Sequence, residues 1–120
     1  MNIPRTTPVV ALALLLTACG SADEHLTALC QSNGHSNKLC SCAAEKMEAD
    51  TDPELFERMS ILAEFTLETA DLDRTPQVRA EIARHRADLF RRYGEAEMTA
   101  AAFRLNAALS DALKHCRTNG

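Results

Sequence analysis

Apolar residues recur at helical spacing along most of this chain, and glycine and proline fall only where the pattern breaks. The recurrence starts at Leu26, Leu29 and Cys30, related as i, i+3 and i+4, and predicts a short first helix. Ser21-Ala22-Asp23-Glu24 fits a capping box at its start: the serine oxygen takes a free N–H, and Glu24 reaches back. Residues 31–36 read as a turn that reverses at Asn33-Gly34. A second helix, starting near Asn37, carries Leu39, Cys40, Ala43, Ala44 and Met47 on one side.

Asp52-Pro53 and Thr75-Pro76 each set a capping side chain before a proline at the first helical position, where the missing N–H costs nothing. The helix from Pro53 to about Ala70 is apolar at Leu55, Phe56, Met59, Leu62, Ala63 and Leu67. The next runs from Pro76 to about Tyr93 through Val78, Ile82, Leu89 and Tyr93, and stops at Gly94. His85 falls between Ile82 and Leu89 and is expected to be partly buried and hydrogen-bonded. The last helix, Glu95 to about His115, repeats Met98, Ala102, Leu105, Leu109, Ala112 and Cys116 at spacings of three and four. The expected fold is all-α: a small disulfide-stapled bundle with a short first helix and four more. Composition agrees, because Leu, Ala and Met outweigh Val and Ile.

The first residues follow a different rule. Residues 9–16 form an uncharged apolar run after Arg5, well short of the roughly 20 residues that span a bilayer. The run ends in Leu16-Thr17-Ala18-Cys19, followed by Gly20. This segment resembles the signal peptide of bacterial lipoproteins, with its lipobox. The resemblance implies a signal peptide over 1–18, cleavage before Cys19, and a mature helical domain over 19–120. It also implies acyl chains on Cys19, palmitate among them, that fix the protein to membrane lipid. Gly20 stands where an Asp would signal inner-membrane retention, so the resemblance implies an outer-membrane anchor with the domain facing the periplasm.

The mature chain has 102 residues, enough for one domain. Its 12 Lys and Arg face 17 Asp and Glu, and this acidic balance argues against nucleic acid as a partner. The four glycines are scattered, so neither a P-loop nor a dinucleotide fingerprint is present. Charge is segregated: residues 43–73 sum to −8 and residues 74–92 to +4. The plainest expectation is two antiparallel helices whose complementary faces form weak surface pairs. The sharper one is an arginine face, with Arg84, Arg86, Arg91 and Arg92, turned to anionic lipid beside the anchor.

Beyond Cys19 there are Cys30, Cys40, Cys42 and Cys116, an even number that suggests two disulfides in an exported domain. Cys40 and Cys42 lie about 200° apart around a helix and cannot pair with each other. Cys40 shares a side with the apolar residues of its helix, and Cys116 lies on the seam of the last helix. That favours Cys40–Cys116 with Cys30–Cys42 over the exchanged set, Cys30–Cys40 with Cys42–Cys116. The pattern of Cys30, the Cys-x-Cys pair and Cys116 also resembles small exported bacterial helical proteins, which implies no activity.

No serine sits in a nucleophile elbow, no unpaired cysteine has a base nearby, and Glu54, Glu57, Glu64 and Glu68 read as a solvated face. The expectation is therefore a non-enzymatic, cofactor-free domain, structural or partner-binding, in the cell envelope. The alternative is a periplasmic copper, zinc or thiol-redox protein that uses the cysteines with His25, His35 and His115.

Overall fold

The computed structural model describes residues 22–119, and five helices lie among them. They are α1 (Ala22–Ser32), α2 (Asn37–Asp50), α3 (Pro53–Thr69), α4 (Pro76–Tyr93) and α5 (Glu95–Asn119). Ser21 of the expected capping box, Cys19 and the expected signal peptide lie outside the described residues. No helix among the described residues is long and apolar enough to cross a membrane.

The helix starts are set by the side chains that the sequence placed there. Ser36 Oγ accepts from Leu39 N at 3.2 Å, and Thr75 Oγ1 accepts from Val78 N at 3.2 Å. Asp52 accepts from Glu54 N at 3.1 Å and Leu55 N at 3.4 Å, with Pro53 following. Each cap satisfies N–H groups that have no partner within their helix. Between α4 and α5, Gly94 takes φ +96°, a conformation that ends one helix and lets the next begin. No glycine or proline interrupts α5 before Gly120, so it runs one turn past the expected end at His115.

Four of the five helices build most of the core. Leu26, Leu29 and Cys30 of α1 meet Phe56, Met59, Leu62 and Ala63 of α3, with Cys40, Ala43, Ala44 and Met47 of α2 in the same cluster. Helix α5 closes it with Met98, Ala101, Leu105, Leu109, Ala112, Leu113 and Cys116. Its seam differs from expectation in two places: Ala101 is buried and Ala102 only half-buried, and Leu113 is buried as well. Helix α4 contributes one buried residue, Phe90.

The disulfides correct the favoured pairing. Cys30 joins Cys40, with Cα atoms 5.6 Å apart, and Cys42 joins Cys116, with Cα atoms 6.0 Å apart. Neither Cys40–Cys116 nor Cys30–Cys42 is formed. The reason is the position of α2, which packs against α1 on one flank and α5 on another. The tight turn at residues 33–36 folds α2 back on α1, bringing the last turn of one to the first turn of the other. The buried side of α2 therefore presents Cys40 to Cys30, and Cys42, two residues on, points to the end of α5.

Candidate functional site

The cysteine and histidine residues do not converge. Cys30 and Cys40 are fully buried, Cys116 is nearly so, and Cys42 is half-buried. The Cys42–Cys116 bridge lines a small surface hollow flanked by Lys38 and Arg117. With both bridges formed, these four sulfurs are held in covalent pairs. His25 Nε2 lies 3.7 Å from a Glu64 carboxylate oxygen, while His35 lies in the α1–α2 turn and His115 near the end of α5. Among the described residues, no three His, Cys, Asp or Glu side chains gather into a group able to hold a metal ion.

A larger concavity than that hollow lies between α3 and α4. These two helices run antiparallel, joined by residues 70–75 at one end. At the other end, Arg58 Nε donates to the Tyr93 carbonyl at 2.9 Å. Between those ends the helices stand apart and leave an open groove of about 630 Å³, within the size range of ligand-binding clefts. Phe65 and Leu72 line it from the α3 side, and Val78, Ile82 and Leu89 from α4. Val78, Ile82 and Leu89 are apolar positions read from the sequence along this helix. They are half-buried, because α4 docks on the bundle through its C-terminal turn, where Phe90 is buried and Tyr93 half-buried.

Polar groups rim this floor. Glu68 on α3 and Glu81 on α4 line the end near the connecting loop, while Asp88 and Arg92 line the other. His85 also lines the groove, and it is exposed rather than partly buried as expected, since α4 carries it away from the core.

The expected pairing of the arginine helix with the acidic helix is not formed. Among the described residues, no ion pair joins an α4 arginine to an α3 carboxylate. Arg91 pairs with Asp88 on its own helix, and Arg58 of α3 with Glu54 on its own. The Arg86 guanidinium lies over the Phe90 ring, 4.2 Å from its centroid, and Arg79 donates to the Arg74 carbonyl at 2.8 Å. Arg84 and Arg92 are exposed.

The groove could have been suspected from the sequence in one respect. Helix α4 combines only three widely spaced aliphatic residues with five arginines, too thin a stripe for a helix packed along its whole length.

In comparisons with known proteins, no family model, no curated protein and no solved structure matches this chain.

Proposed function

We propose that this chain is a membrane-anchored lipoprotein whose helical domain catalyses no reaction and binds a partner in the cell envelope. The observation that carries the reading is Leu16-Thr17-Ala18-Cys19-Gly20 at the end of an uncharged apolar run. Acylated Cys19 supplies the membrane contact, and residues 1–18 are removed as the signal peptide. The two disulfides support an exported, oxidising setting, where such bridges form and persist. Gly20 supports an outer-membrane anchor with the domain in the periplasm.

Only Gly20 and Ser21 separate Cys19 from α1, a reach of about 11 Å at full extension. The domain therefore sits close to the headgroups, and the anchor's role is to hold the groove near the membrane surface. Labelling cells with a palmitate analogue tests the reading. The analogue is expected in the protein, and Cys19→Ala should abolish it and release the chain from membranes or leave it unprocessed. An unlabelled protein, or a variant with unchanged mass and membrane partition, overturns the reading.

A further inference from the structure

We propose that the groove between α3 and α4 holds an amphipathic helix of an envelope protein, apolar along one side and bearing Lys or Arg at its edges. This deepens the partner-binding reading above and rests on it.

The groove floor has the right chemistry. Val78, Ile82 and Leu89 recur on one side of α4 over twelve residues, about 16 Å of helix, the length of three turns laid alongside. Val78 and Ile82 take no part in the core cluster, Leu89 packs only against its edge, and Leu72 at the loop end of the groove is 47% exposed. Helix-in-groove recognition uses this arrangement, with anchors at helical spacing dropping onto an apolar floor.

The rim selects the sign of the occupant. Glu68 and Glu81 line the loop end from opposite walls, and exposed Asp71 and Asp73 flank Leu72 on the loop itself. Asp88 is held by Arg91, and Arg92 is the arginine that lines the far end. A helix with cations near the loop end gives both glutamates a partner. A lipid acyl chain in the same place would desolvate the two carboxylates without pairing either, and an acidic segment would be repelled.

A photo-crosslinking amino acid at position 82 or 89 of the full chain, activated in intact cells, tests this. The expected adduct maps to a protein segment with apolar residues at helical spacing and Lys or Arg beside them. Its yield should fall about fivefold in Glu68→Gln/Glu81→Gln and hold in Glu45→Gln/Glu48→Gln, which removes the same charge from an exposed part of α2. An adduct to lipid, to a second copy of this chain or to an acidic segment overturns the proposal. So does the absence of an adduct, or an equal loss in the two double variants. Fractionating the same cells reads the anchor separately: protein in the membrane with no adduct sinks the groove proposal and leaves the anchor standing.

Discussion

Arg58 and Tyr93, thirty-five residues apart, are joined by a 2.9 Å hydrogen bond from the guanidinium Nε to the backbone carbonyl. That carbonyl belongs to the last turn of α4, where no N–H of the same helix is left to reach it. The same guanidinium donates through Nη1 to the Glu54 carbonyl at 3.3 Å, so one side chain ties the start of α3 to the end of α4. Arg58→Ala should cost about 1–3 kcal/mol, the range for a charged donor lost from a partly buried site. Amide exchange in α4 should rise more than exchange in α1 or α2. Equal exchange in all three helices would show that the tether does not hold α4.

The two bridges should differ in both strength and reactivity. Loop closure gives about 4.4 kcal/mol for the 74-residue Cys42–Cys116 loop and about 2.7 kcal/mol for the 10-residue Cys30–Cys40 loop. The Cys42→Ala/Cys116→Ala pair should therefore lower the denaturant midpoint more than Cys30→Ala/Cys40→Ala. Half-buried Cys42 is open to a reductant, whereas Cys30 and Cys40 are fully buried. Brief reduction followed by alkylation should label Cys42 and Cys116 first, and the reverse order would contradict this.

Two glycines share one backbone conformation but differ in surroundings. Gly34 and Gly94 both have φ +96°, yet a Cβ at Gly34 meets open space, whereas at Gly94 it meets the Glu97 carboxylate. Gly34→Ala should cost about 1 kcal/mol from the backbone alone. Gly94→Ala should cost about the same, because the group in its way is the far end of the exposed Glu97 side chain, which can swing aside. Thermal unfolding of the two variants decides it, and a clearly lower melting temperature for Gly94→Ala would show that Glu97 cannot yield.

Apolar residues of the same helical pattern should contribute very differently. Met59 is fully buried, and Met59→Ala is expected to cost about 2–5 kcal/mol. Ile82 lines the groove and is only half-buried, so Ile82→Ala should cost less than about 1 kcal/mol by the area it covers. Urea unfolding of both variants measures the contrast. A loss at Ile82 as large as that at Met59 would place α4 in the core.

The helices were readable because their boundaries are local chemistry: Asp52-Pro53, Thr75-Pro76 and Gly94 act within a few residues of where they stand. The bridges were not, because residues two apart on α2 face different neighbours, and nothing in the spacing says which flank takes α1 and which takes α5. Cys40 therefore found Cys30 across a short turn instead of Cys116. The groove was hidden for a related reason. Val78, Ile82 and Leu89 carry the same periodic signature whether a helix packs along its length or only through Phe90 at its last turn.

Pulled from its two ends, this domain would carry the load along a shortcut. Tension entering at α1 crosses from Cys30 to Cys40, then from Cys42 to Cys116, and leaves through the last residues of α5. Only residues 22–30, 40–42 and 116–119 lie on that line. Helices α3 and α4, with the groove between them, hang from it as a shielded loop, so stretching the chain cannot unravel them while both bridges hold.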